Sequence, residues 1–243
     1  MRRRAGSTPE LNDPTLVARE YSSLQRFSLR RLDRSGWLRG SEPIPTLLAA
    51  IAEARPERIL DVGCGEGALA ALLTTPKVVC VDQSAAAVDA ARARGLEALQ
   101  ADVQALPFED ASFDVVMCNW MLYHVADLDR GLSEIARVCR PGGRMVGAYN
   151  LPGHLEEVWS TVGARLPAET FNGETGLAPL ARHFDRVERR DTEGEVLWEN
   201  REALQSYLDA YSELLGDLRA PAAPFPFRAR RRNCVLLAAT GTP

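Results

Sequence analysis

The chain has 243 residues, of which 46% are apolar and 26% charged, and a formal net charge of −4. That length suits one large α/β unit, and the globular composition excludes a wholly disordered chain. The mild acidity excludes a general attraction to nucleic acid or anionic membranes. Two arginine clusters stand out locally, Arg2, Arg3 and Arg4 at the start and Arg228, Arg230, Arg231 and Arg232 near the end. They read first as a solvated tail and a charged strand entry, with an acidic substrate group or RNA phosphate as the alternative. Cys64, Cys80, Cys118, Cys139 and Cys234 form no C-x-x-C pair and read as reduced thiols, several of them within apolar runs. No apolar run reaches the roughly 18–20 residues of a membrane helix, and no signal-peptide core follows the first arginines, so a cytoplasmic location is expected.

In chain order, residues 16–38 have helical composition, and a second helix is expected from Pro43, with Ile44, Leu47, Leu48 and Ile51 on one face. A regular alternation follows. Residues 58–62 read as a buried strand ending in Gly63-Cys64-Gly65-Glu66-Gly67, with Leu69, Leu72 and Leu73 as the face of the next helix. Residues 78–82 form a second strand, and Ser84 is placed to cap the helix after it. Strands are expected at 96–101, 114–119 and 144–149, with a helix through Leu128, Leu132, Ile135 and Cys139 stopping at Pro141-Gly142-Gly143. Two late strands are expected at 184–190 and 233–240, and between them Asn200 caps a stripe of Leu204, Tyr207, Leu208, Tyr211 and Leu214. Strands alternating with helices predict a doubly wound, Rossmann-like parallel sheet with helices on both faces. The expected division is a tail and helical cap over residues 1–42, then one domain over 43–243 with a lid-like segment at 151–184.

The glycines of Gly63-x-Gly65-x-Gly67 permit a tight turn and close approach of a ligand to the main chain. With Ala68 they also satisfy the dinucleotide fingerprint, so the loop alone does not choose a ligand. Charge does discriminate. A pyrophosphate is disfavoured by Asp61 and Glu66 beside the loop, whereas the ammonium and sulfonium of S-adenosyl-L-methionine are stabilised by them. Asp82 ends the second strand, where an acid accepts from ribose hydroxyls, and Asp102-Val103 follows the third, where they suit an adenine amino group and ring. Each acid has an ordinary structural alternative, Asp61 as a helix-dipole partner and Asp82 and Asp102 as caps or turn formers.

These residues resemble a known family. Leu60-Asp61-Val62-Gly63-Cys64-Gly65-Glu66-Gly67, Val81-Asp82, Ala101-Asp102-Val103-Gln104-Ala105-Leu106-Pro107-Phe108, Ser112-Phe113-Asp114-Val115-Val116 and Glu134-Ile135-Ala136-Arg137-Val138-Cys139-Arg140-Pro141-Gly142-Gly143-Arg144 are similar to class I S-adenosylmethionine-dependent methyltransferases, of the small-molecule group that includes the ubiquinone-type enzymes. The resemblance runs from about Arg58 to Tyr149. It implies a seven-stranded sheet whose last strand is antiparallel. It also implies that Asp61 and Gly63 hold the methionine portion of the donor, Asp82 the ribose, and Asp102 and Val103 the adenine. Asn119 would bring its carbonyl to the ammonium, and Cys64, Gly65 and Gln83 complete the cofactor contacts.

Methyl transfer needs alignment and exclusion of water, and a general base when the acceptor is a hydroxyl. His124, in Asn119-Trp120-Met121-Leu122-Tyr123-His124-Val125 after the fourth strand, is the candidate base; a structural histidine is the alternative. Trp120 and Tyr123 are candidates for an acceptor pocket, with His154 and Trp159 further candidates. The absence of an Asn/Asp-Pro-Pro-aromatic motif at Asn119 disfavours nucleic-acid bases and protein glutamine as acceptors. No metal motif is present. The expectation is transfer to oxygen or nitrogen of a small molecule, leaving S-adenosyl-L-homocysteine, with no nucleic acid or membrane partner and with a homodimer allowed. The alternatives are a nicotinamide-dependent oxidoreductase and a non-catalytic S-adenosylmethionine-binding protein. Tyr21, Arg26 and Phe27 are the expected lid contacts.

Overall fold

The computed structural model describes residues 11–13, 15–17, 37–74, 77–167, 169–222 and 224–241. Tyr21, Arg26 and Phe27 lie outside them, as does most of the helix expected over 16–38. The described residues form one eight-stranded sheet. Its strands are β1 (Trp37–Gly40), β2 (Arg58–Val62), β3 (Lys77–Asp82), β4 (Glu97–Gln100), β5 (Phe113–Cys118), β6 (Cys139–Asn150), β7 (Arg186–Trp198) and β8 (Phe227–Ala239). The order across the sheet is β1-β7-β8-β6-β5-β2-β3-β4.

The centre is parallel, with β2 between β3 and β5. Its residues read as unbroken apolar runs because both faces are covered. Helix α1 (Pro43–Glu53) buries Leu47, Ala50 and Ile51 and packs beside α2 (Ala85–Ala93) in one apolar layer; α3 (Leu128–Val138) buries Leu132 and Ile135 in the other. Ser84 accepts from the Ala87 N–H at 3.4 Å and so caps α2 as expected. Several motif residues are staples of this sandwich. The Asp114 carboxylate accepts from the Glu57 and Arg58 N–H groups at 3.0 and 2.8 Å and from Arg140 at 2.6 Å, tying the start of β5 to that of β2. Glu134 and Arg137 clasp the turn before β5 through the Leu106 N–H and the Leu106 and Phe108 carbonyls.

Three expectations are corrected. The sheet has eight strands, because β1 adds antiparallel to β7, from Trp37↔Leu197 to Gly40↔Gly194. The end of the expected 16–38 helix is therefore strand, where Trp37 and Leu38 favour extended backbone and Gly40, at φ +85°, lies against the Gly194 backbone. The late strands are longer than expected, 13 residues each. Their length is hidden in sequence by charged residues on exposed positions, such as Arg189 with Asp191 and Arg190 with Glu53. The segment after Gly67 holds no helix, only a single-turn 3₁₀ element (Ala70–Leu72) with Leu72 on the surface. Only four residues separate Leu69 from Thr74, and Pro76 forbids continuation.

The outer halves of β7 and β8 rise past the end of β6 and carry a second small core. Trp198, Val196 and Ala229 pack there with Leu155 and Trp159 of the segment around α4 (Glu156–Thr161), and, beyond the short α5 (Leu177–Leu180), with Leu204, Tyr207 and Leu208 of α6 (Arg201–Asp209). The side chain of Asn200 accepts from the Ala203 N–H at 2.9 Å and caps α6. Asn200→Ala is expected to cost about 1 kcal/mol, measured as a lower urea midpoint with an unchanged slope.

Candidate functional site

The carboxyl ends of β2, β3 and β5, adjacent in the sheet, bring Asp61, the glycine loop, Asp82 and Asn119 together. The loop folds as the sequence demands. Gly63, Gly65 and Gly67 all have left-handed φ, at +68°, +55° and +73°. A Cβ on Gly63 would lie 2.9 Å from the Met121 side chain, so this glycine also lets the loop after β5 close over it. The N–H groups of Gly63 and Cys64 both donate to the Val81 carbonyl, at 2.8 and 3.1 Å.

Asp82 organises this turn. One carboxylate oxygen accepts from the Gly65 N–H at 2.9 Å and the other from the Ser84 N–H at 2.8 Å. Burial raises its pKa, and these two bonds oppose the shift. Both oxygens retain a free lone-pair direction for a further donor. Asp61 behaves differently. It is 2% exposed, and among the described residues no hydrogen bond offsets its burial. Burial, then the nearby Asp82 charge, push its pKa to about 8. A buried carboxyl without a donor is costly, and an ammonium group is the partner its chemistry suits.

Asn119 accepts from the Ala148 N–H at 3.0 Å, and its Nδ2 is buried with no acceptor. Cys64, half-buried, turns its thiol toward Cys80, and that contact, then burial, push its pKa up. Gln83 is exposed, with its carbonyl accepting from Gln100 at 2.9 Å. Asp102 caps the 3₁₀ turn (Val103–Ala105), accepting from the Gln104 N–H at 2.8 Å, while Val103 is packed in the core. Gln83, Asp102 and Val103 thus stand one and two strands away from Asp61, along the same edge of the sheet.

The residues expected to border an acceptor lie after β5 and β6. Trp120 holds a left-handed φ of +48°, a strained position for a bulky residue and one often kept at functional sites. Its indole N–H donates to Asn150 Oδ1 at 3.3 Å. Asn150 Nδ2 in turn donates to Glu169 at 3.4 Å, and Burial pushes the Glu169 carboxyl to about 7. Thr170 donates to the Tyr123 carbonyl at 3.4 Å, and Phe171 packs on Tyr149 with ring centroids 4.8 Å apart. The segment following α4 is thereby fastened beside the site. His124 Nδ1 lies 2.9 Å from the Leu11 carbonyl and so donates to it. Sequence reasoning missed Glu169, for only the fold brings it to Asn150. His154 and Trp159 do not join this group. His154 Nδ1 is held by the Arg232 backbone and burial lowers its pKa to about 4, while Trp159 packs on Tyr211 in the second core.

A shallow depression of about 540 Å³ beside Gln104, Asp127 and His183 is separate from this centre. Its polar groups satisfy one another, as in Arg130 with the Gln104 carbonyl at 2.8 Å and His183 with Asp129 at 2.9 Å.

Residues 60–147 match a family profile described as a methyltransferase domain. Over 140 residues the chain is 34% identical to a malonyl-[acyl-carrier protein] O-methyltransferase of Pseudescherichia vulneris, covering 54% of this chain and 55% of that protein. Over 104 residues it is 42% identical to a demethylmenaquinone methyltransferase of Thermus thermophilus, covering 39% and 47%. The chain thus spans about half the length of these curated relatives. In fold it is similar to a SAM-dependent methyltransferase of Thermotoga maritima (18% identity, 93% and 97% covered, TM-score 0.56) and to YcgJ of Bacillus subtilis (17%, 82% and 99%, TM-score 0.57). Residues 60–147 thus belong to the methyltransferase-domain family that this profile describes, set in a sheet with the fold of the methyltransferase structures it resembles.

Proposed function

We propose that the chain transfers the methyl group of S-adenosyl-L-methionine to an oxygen or nitrogen of a small molecule. The observation that carries this reading is the buried, unpaired carboxyl of Asp61 beneath the glycine loop. It would hold the donor's ammonium, with Asn119 beside it. Asp82 would accept from the ribose with the lone pairs its loop contacts leave free, and the edge near Asp102 and Val103 would take the adenine. The bound donor supplies an electrophilic methyl group and a neutral thioether leaving group. The chain's own task is to align the acceptor, exclude water and accept a proton from a hydroxyl. Glu169, held through Asn150, is the proton acceptor in this reading, with His124 anchoring Leu11 over the site. Among its relatives, the O-methyltransferase of Pseudescherichia vulneris supports an oxygen acceptor.

The glycine loop counts against nicotinamide dinucleotides in a second way. A pyrophosphate site uses the N-terminus of a following helix, and here only a three-residue turn follows. Calorimetric titration with S-adenosylhomocysteine, with NADH in parallel, tests the reading. One-to-one binding of the first alone is expected, and binding of NADH alone overturns it. A labelled methyl donor with a panel of hydroxyl and amine acceptors then separates an enzyme from a non-catalytic binding protein. Asp82→Ala is expected to weaken S-adenosylhomocysteine roughly tenfold or more, since ribose contacts and the loop's two anchors are lost together. Unchanged affinity in that titration would place the ribose elsewhere.

A further inference from the structure

The arginine run near the C-terminus divides on folding. Arg230 and Arg232 point to one face of β8, where they meet Glu157 at 2.8 Å and Glu193 at 3.6 Å. Arg231 points to the other face and is 4% exposed. One Nη donates to the Ser41 carbonyl at 3.2 Å, whereas Nε is buried without any acceptor. Among the described residues Arg231 makes no ion pair. Glu42 is the carboxylate that acts on it, and does so without a hydrogen bond. A buried guanidinium without a bonded anion is a large uncompensated cost.

A second orphan lies beside it. Thr192 is 4% exposed and its hydroxyl is buried without a partner. The strand register puts the two together, since Thr192 pairs with Asn233 and Gly194 with Arg231. Residues two apart share a face, so Thr192, Asn233 and Arg231 form one polar row. Gly194 stands opposite Arg231 in that row, where a Cβ would collide with the Arg39 carbonyl and come within 2.9 Å of the guanidinium, so the glycine is what lets the Arg231 side chain lie across β7. The row continues into the site: Asn233 donates to Asn150 Oδ1 at 2.9 Å, and Asn150 also receives the Trp120 indole. Arg231 lies about 7 Å along β8 from Asn233, a distance that a small acceptor spans.

We propose that Arg231 and Thr192 form an anion subsite that holds the carboxylate of the methyl acceptor. The guanidinium supplies charge-assisted donors to the carboxylate, and the threonine hydroxyl adds one more. The acceptor is therefore a small carboxylic acid, bound with its anion above β7 and β8 and its nucleophile near Trp120. The inference rests on the proposed methyl transfer for the ligand's role, but the binding of carboxylates can be read without it.

The test uses the full chain, Arg231→Met, which keeps the stem over Gly194, and Thr192→Val, which removes only the hydroxyl. Acetate, malonate and 4-hydroxybenzoate serve as probes, with 4-hydroxybenzamide as the neutral control. Affinity is measured by calorimetry and stability by thermal denaturation without ligand. At least one carboxylate is expected to bind the wild type, with the amide much weaker. Arg231→Met is expected to lose that binding roughly tenfold or more, and Thr192→Val a few-fold. Thr192→Val is not expected to lower the melting temperature of the ligand-free protein, because it removes an unsatisfied hydroxyl, whereas Arg231→Met also gives up the bond to the Ser41 carbonyl and is read by its affinity. Silence from all three carboxylates, equal binding by Arg231→Met, or a lower melting temperature in Thr192→Val overturns the subsite. S-adenosylhomocysteine binding, measured on the same samples, reports separately on the donor site.

Discussion

Asp61→Asn is expected to weaken S-adenosylhomocysteine binding roughly a hundredfold while making the ligand-free protein more stable at alkaline pH. Asp61 has an ordinary pKa of 3.8 and one of about 8 in the folded chain, raised by burial and then by the charge of Asp82. Between those values the folded state holds a proton that the unfolded state has released. Stability therefore falls as pH rises from about 4 to about 8, and the effect is on the order of a few kcal/mol. Asparagine does not titrate, so its denaturation midpoint should lose this component of the pH dependence. Donor binding works in the opposite direction. An ammonium beside Asp61 favours the carboxylate, so association near neutral pH should release close to one proton, seen in calorimetry as a dependence on the buffer's ionisation enthalpy. Undiminished affinity in Asp61→Asn, or binding without proton release, would remove Asp61 from the ammonium.

The sequence made the centre of the fold legible for a physical reason. Strands buried on both faces are continuous apolar runs, and Asp61, Asp82 and Asn119 stand at or just beyond their carboxyl ends, where open α/β sheets bind ligands. The periphery was harder to read. β7 and β8 carry charged residues at alternate exposed positions, so only their apolar inner ends stand out in sequence. The three leucines after the glycine loop imitate a helix face, although Pro76 leaves no length for one. Motif residues also divide by role only in three dimensions. Asp114, Glu134 and Arg137 belong to the same set of motif stretches as Asp61 but serve as staples between strands and turns. Glu169 and Arg231 carry no local signal. One sits in an irregular segment and the other inside an arginine run whose members look alike until alternation separates them.

Glu169→Gln is expected to lower kcat with a hydroxyl acceptor by about 10²–10⁴-fold and to leave S-adenosylhomocysteine affinity unchanged. The substitution keeps the amide-sized shape and the contact with Asn150, so a purely structural role would leave turnover nearly intact. Its pH profile distinguishes the two roles. Burial raises the Glu169 pKa to about 7, against the hydrogen bond from Asn150 that lowers it. A base must be unprotonated to accept a proton, so kcat/KM should rise with pH through about 7 and level off above it. In Glu169→Gln that limb should vanish. An amine acceptor that is already neutral needs no such base, so its turnover should suffer far less in the same variant. His124→Ala supplies the contrast. If that variant alone erased the limb, with Glu169→Gln unaffected, the proton would pass to His124, and Glu169 would be left as the anchor that fastens the segment after α4 to Asn150.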